Sequence, residues 1–93
     1  MDFAKKHPSA LPSLKRFARI LKVARWGGLD DVRGTFPHAD QVKVRSGNLV
    51  TVFNLGGNNW RVVAALHFNR QIAYILAVLT HPEYSKDKWK ETL

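Results

Sequence analysis

From Ser9 to Trp26, apolar residues recur at three- and four-residue spacing. Leu14, Phe17, Leu21 and Ala24 fall on one helical face, and Lys15, Arg19, Lys22 and Arg25 on the other. This pattern predicts an amphipathic helix. Ser9 is its predicted N-cap, Pro12 lies in the first turn where a missing N–H costs little, and Gly27-Gly28 is the predicted stop. Asp2–His7 predicts a helical turn or two before Pro8, and Leu29–Phe36 a short helix capped by Asp30, or a turn, ended by Pro37.

The period then changes to two. Asp40–Arg45 alternates Val42 and Val44 with Lys43 and Arg45, as a short edge strand does. Ser46-Gly47-Asn48 signals a turn, and Leu49–Leu55 reads as the next strand. Gly56-Gly57-Asn58 signals a tight hairpin, because positive φ is cheap there. In the strand Asn59–Phe68, Trp60, Val62, Ala64, Leu66 and Phe68 share one face, and Arg61, Val63, Ala65 and His67 the other. Asn69-Arg70 is a second turn. Gln71–Leu79 is largely apolar, the pattern of a central strand. From Ser85 a short polar tail follows, with a short helix and docking through Trp89 as the expectations. Helix first, then an antiparallel meander, predicts an α+β fold.

The 93 residues predict a single domain, 1–93. There are no cysteines, which removes disulfides, thiol nucleophiles and cysteine metal sites and fits a reducing compartment. Neither a signal core nor an apolar run of about 18 residues is present, so the expected location is the cytoplasm, away from membranes. The formal charge is +8, and its layout is informative: residues 41–82 contain Lys43, Arg45, Arg61 and Arg70 and no acid. An acid-free sheet beside a basic helix suggests a polyanionic partner, either nucleic acid or an acidic protein that mimics it.

With no acid between Asp40 and Glu83, paired-carboxylate hydrolysis and a carboxylate-bound magnesium site would need distant segments. Gly56-Gly57 lacks the G-K-[ST] and following helix of a phosphate loop, and the four histidines lack metal-ligand spacing. No metal or cofactor is expected. Arg, Lys, His and Tyr remain, a set suited to metal-free RNA cleavage. In that reaction a 2′-hydroxyl attacks the adjacent phosphate, a base and an acid move protons, and cations stabilise the added charge. Arg61, the one charge within its strand, either emerges at the sheet's solvent face or faces a phosphate. His81 and Tyr84 follow the last strand, where each is either a reacting group or a structural brace.

The stretch VFNLGGNNWRVVAALHFNRQIAYILAVLTHPEY resembles the HigB family of bacterial toxins within the RelE-like group. The resemblance rests on the V-F-N-hydrophobic-G-G-N hairpin, the arginine just after it, the hydrophobic-Y-I strand and the T-H-x-E-Y ending, and FAKKHPSA resembles the family's first helix. It implies a small twisted antiparallel sheet of three or four strands with N-terminal helices on one face. It also implies a type II toxin that cleaves mRNA on the translating ribosome. A HigA-like helix-turn-helix antitoxin would neutralise it and carry the complex to operator DNA. Arg61, His81 and Tyr84 become the expected active-site residues, with proton transfer and base stacking divided between the last two. The chain departs from the family in two places. It opens almost inside the first helix, where relatives begin with a strand-like segment. It also has Leu76 where relatives commonly carry an arginine. Lys43, Arg45, Arg70 or Lys86 would then supply phosphate-binding charge; the alternative is a weakened or non-catalytic RNA- or ribosome-binding module.

Overall fold

The computed structural model describes residues 7–56 and 59–93. The segment Asp2–Lys6 and the hairpin residues Gly57 and Asn58 lie outside them, so the expected helical turn at the N-terminus and two of the three residues of the first hairpin signal are not described. A 3-10 turn, Pro8–Ala10, leads into helix α1 (Leu11–Val23), and helix α2 spans Leu29–Thr35. Strands β1 (Asp40–Lys43), β2 (Leu49–Leu55), β3 (Trp60–His67) and β4 (Ile72–Thr80) follow, and then two short helices, α3 (His81–Ser85) and α4 (Trp89–Thr92). The four strands form an antiparallel meander in the order β1-β2-β3-β4.

Several local expectations give way to tertiary contacts. Ser9 is not the cap of α1: it lies inside the 3-10 turn, and Ala10 occupies the N-cap without a side-chain bond. The helix also ends before Gly27-Gly28, at Val23, since Ala24 turns extended and Trp26 is drawn into the core. Asp30 does not cap α2, whose N-cap is Gly28; instead the Asp31 carboxylate accepts the Gly27 N–H at 2.7 Å. The largest correction concerns β4. Among the described residues it is an edge strand, and Ile72, Tyr74, Ile75 and Leu76 are 37–51% exposed. A continuous apolar run is the pattern of a strand covered on both faces, and sequence alone cannot say what does the covering.

The sheet separates two apolar layers. On one face Leu14 and Phe17 of α1, Val32 of α2, Trp26 and Ala39 pack against Phe53, Leu55, Val62 and Ala64. Phe53 is the hub, with ring centroids of Phe17 at 4.9 Å and Phe36 at 5.1 Å. Such tilted and edge-on aromatic pairs add about 0.5–1.5 kcal/mol each beyond area burial. On the other face Val44, Val50, Val52 and Val63 are covered by Trp89 of α4, with Tyr84 and Leu93 beside it. The alternation read from β3 therefore holds: Val62 and Ala64 face the helices, while Arg61 and Val63 face the C-terminal segment.

Two turns set the geometry. Gly56 has φ +58, and an added Cβ would sit 2.5 Å from Trp60 Cδ1, so glycine is required on both conformational and steric grounds. In the β3–β4 turn the positive φ falls on Gln71, at 55°. Its side-chain amide bridges the Trp26 N–H and carbonyl at 3.0 and 2.7 Å and also donates to the Phe68 carbonyl. This clamp joins the hairpin tip to the loop after α1.

Candidate active site

Arg61 is the second residue of β3, opposite Asn54 of β2 and Leu79 of β4. It does not emerge into solvent: it is 5% exposed. Its Nη1 donates to the Trp60 carbonyl at 3.2 Å, and its Cζ lies 5.2 Å from the centre of the Tyr84 ring. Tyr84 also stacks on Trp89, with centroids 5.4 Å apart and planes 19° apart. The Trp89 indole N–H donates to the Tyr84 carbonyl at 3.0 Å, which ties α4 to α3. Cation, phenol and indole thus form one packed group at the Arg61 end of the sheet. A desolvated guanidinium attracts anions more strongly than a hydrated one.

The Thr80-His81-Pro82-Glu83 sequence builds the support for this group. The Thr80 hydroxyl accepts the Glu83 N–H at 3.3 Å, and the Glu83 carboxylate accepts the Thr80 N–H at 2.9 Å. This reciprocal capping box starts α3 directly at the end of β4, with Pro82 in the first turn. The T-x-x-E spacing lies within the T-H-x-E-Y ending read from the sequence, where its capping role goes unrecognised. His81, the first residue of α3, is exposed, and its N–H donates to the Asn59 carbonyl at 3.1 Å. Its Nδ1 lies 3.5 Å from the Ser85 hydroxyl, one turn later. Imidazole and phenol therefore stand on a single short helix whose position follows from the β4 register.

The remaining predicted cations separate by position. Lys86 closes α3 and is exposed close to Tyr84. Arg45 follows β1, and its N–H donates to the Lys90 carbonyl at 2.9 Å, so it borders the C-terminal segment. Lys43 pairs with Leu49, whereas its neighbour Val42 pairs with Val50 in the layer under Trp89; strand alternation places Lys43 on the opposite face from Arg61. Arg70 lies in the β3–β4 turn, at the other end of β3, and six residue steps along the strand lead from Arg61 to His67, about 20 Å. Leu76 is the extra residue of a β-bulge: the register passes from Val63↔Ala77 to Ala64↔Ile75. It lines a shallow depression with Val50, Ala65 and His67. Tyr84 thus touches Arg61, His81 and Lys86 stand on or beside the same short helix as Tyr84, Arg45 borders the C-terminal segment, and Arg70 is far away. Trp89, read from the sequence only as a docking residue, is part of the group. Among the described residues no three His, Asp or Glu side chains are placed to share a metal ion.

An α+β chain with helices ahead of a four-stranded antiparallel meander, and with its cation, phenol and imidazole gathered where the last strand ends, has the architecture of a RelE-like toxin. Residues 10–87 match the family model described as HigB toxin, RelE-like toxic component of a toxin–antitoxin system. The chain is 31% identical over 85 residues to mRNA interferase HigB of Escherichia coli O6:H1, covering 91% of this chain and 81% of that protein. It is 34% identical over 83 residues to mRNA interferase toxin HigB of Escherichia coli strain K12, covering 89% of this chain and 78% of the relative. The Shigella flexneri mRNA interferase HigB matches at 34% over the same length. The chain belongs to the HigB toxin family.

Proposed function

We propose that this chain is an mRNA-cleaving toxin of a type II toxin–antitoxin system, acting without a metal on messages held by the translating ribosome. The names of its relatives support the reaction. The observation that carries the reading is the Arg61–Tyr84 contact, with His81 on the same short helix as Tyr84, in a sheet region without carboxylates. The RNA 2′-hydroxyl attacks the adjacent phosphorus and its proton passes to a base. The bond from phosphorus to the 5′-oxygen breaks as an acid protonates the leaving oxygen. The products are a 2′,3′-cyclic phosphate and a 5′-hydroxyl end. His81 and Tyr84 divide proton transfer and base stacking, since an imidazole can accept or donate a proton near neutral pH and a phenol ring can stack on a base. Arg61 stabilises the phosphorane charge from beneath the Tyr84 ring, and Lys86 and Arg45 hold flanking phosphates. The proposed partners are the mRNA, the ribosome and a HigA-like helix-turn-helix antitoxin, which links the complex to operator DNA. The proposed location is the cytoplasm; no helix among the described residues is long and apolar enough to cross a membrane.

One observation favours a second reading, an RNA- or ribosome-binding module with little catalysis: Arg61 is covered by Tyr84; the family resemblance, which implies an arginine where Leu76 stands, agrees with it. Primer extension on mRNA from expressing cells separates them. New 5′ ends within coding regions support cleavage, whereas intact messages with arrested translation support binding alone. Removing one charge-stabilising donor costs on the order of a hundredfold in rate. Arg61→Ala should therefore abolish growth arrest at matched expression, and an unchanged arrest removes Arg61 from the mechanism.

A further inference from the structure

Arg61 is 5% exposed, yet a phosphate has to reach it. The Tyr84 ring covers its guanidinium at 5.2 Å, and its two cross-strand neighbours are Leu79 and Asn54. Leu79 packs against the apolar layer of Val63 and Trp89, so that side offers a phosphate oxygen no hydrogen bond. Asn54 is different. Val50, Val52 and Asn54 alternate onto one face of β2, and directly opposed residues of an antiparallel pair stand about 4.5–5.5 Å apart at Cβ. The Asn54 side chain therefore lies beside Arg61. It is half-buried, and its carboxamide makes no hydrogen bond among the described residues. β1 begins at Asp40 opposite Val52, so no described strand pairs with Asn54 on the side away from Arg61. Asn54 also lines a cleft of about 350 Å³ with Ser13, Arg16 and Thr35, and no acid is among the described residues that line it. Asp40, which shares this face of the sheet, is paired with Arg33 at 3.6 Å.

We propose that Asn54 is a substrate contact: RNA reaches Arg61 past it, and its carboxamide N–H donates to a non-bridging oxygen of the phosphate that Arg61 holds. The inference rests on the mRNA-cleavage reading and adds the route by which the covered arginine is reached. A carboxamide presents two N–H donors and no net charge, so it shares a phosphate with a guanidinium without repelling the cation. It also leaves the guanidinium's charge uncancelled in a desolvated place, where an anion is held more strongly than in water. A carboxylate at the same position would instead pair with Arg61 and exclude the phosphate. Arg16, on the α1 wall of the cleft, adds positive charge along this route.

Two probes test this with the full chain: a short fluorescent RNA with 2′-O-methyl riboses, which can be bound and not cut, and an unmodified message in a translating extract. A hydrogen bond to a charged group sets the scale, so Asn54→Ala should weaken binding and slow cutting roughly ten- to a hundredfold. In an Arg61→Ala background the same substitution should add little, because both side chains hold one phosphate. Asn54→Asp, of the same size, should abolish binding and cutting while keeping or raising the midpoint of urea unfolding, since the new carboxylate pairs with Arg61. A side chain that only braced the hairpin would lose stability and activity together. Asn54→Ala that keeps every RNA activity of the parent within about threefold overturns the proposal. So does Asn54→Asp that retains those activities or unfolds at lower urea, and so does a full additional loss in the Arg61→Ala background. A chain whose RNA binding depends on Asn54 but which cuts no message keeps the contact and refutes only the cleavage reading; a chain that neither binds nor cuts RNA overturns both.

Discussion

Trp89→Ala tests whether the C-terminal segment is a structural part of the site. Trp89 is 6% exposed, closes the second apolar layer over Val50, Val52 and Val63, and stacks on Tyr84. A buried tryptophan side chain removes about 200 Å² from water. At about 25 cal/mol per Å², that is on the order of 5 kcal/mol. The loss is limited from above, because α4 is four residues long and terminal. Once its anchor is gone it detaches, and each freed residue regains about 1–2 kcal/mol of backbone entropy. We expect about 3 kcal/mol of destabilisation in urea unfolding, at the lower end of the range for Trp→Ala in cores. The melting temperature should fall by roughly 12–24 °C. Tyr84 would lose its stacking partner and its place over Arg61, so RNA cleavage should fall together with stability. Trp89→Phe keeps a ring on Tyr84 but loses the 3.0 Å hydrogen bond to the Tyr84 carbonyl, and should cost about 1 kcal/mol. A Trp89→Ala chain that loses less than 1 kcal/mol with an unchanged urea slope would show that this segment does not anchor the site.

Gly56→Ala should destabilise by about 1–3 kcal/mol in the same unfolding assay, since a Cβ at φ +58 meets the Trp60 ring at 2.5 Å; a neutral result would mean that the hairpin can shift freely. Thr80→Ala removes one arm of the capping box and should cost about 1 kcal/mol. Because α3 carries His81 and Tyr84, cleavage should fall more than global stability does, and an equal or smaller fall argues that α3 is positioned by other contacts. Leu76→Arg, at a 41% exposed bulge position, should leave folding intact and raise cleavage of model mRNA at least tenfold if a missing cation limits the rate. An unchanged rate would show that Lys86 and Arg45 already supply the phosphate contacts.

The sequence alone determined the order of elements, the faces of β3 and the amphipathic face of α1. These follow from periods of 2 and 3.6, which any chain with one buried face must obey. It also singled out Arg61, His81 and Tyr84, because a charge within an apolar strand and a polar cluster at its neighbour's end are local anomalies. Local chemistry misplaced the caps at Ser9 and Asp30 and the stop at Gly27-Gly28, because burial of Trp26 and the Asp31 carboxylate outweighed propensities of about 1 kcal/mol. Tertiary structure alone decided that Arg61 is covered, that Trp89 joins Tyr84 in covering it, and that Lys43 and Arg70 stand apart from it. It also leaves β4 at the edge among the described residues. Hydrophobicity records only that a strand is to be covered; whether by the same chain or by another depends on how many strands stand beside it, and no local pattern contains that number.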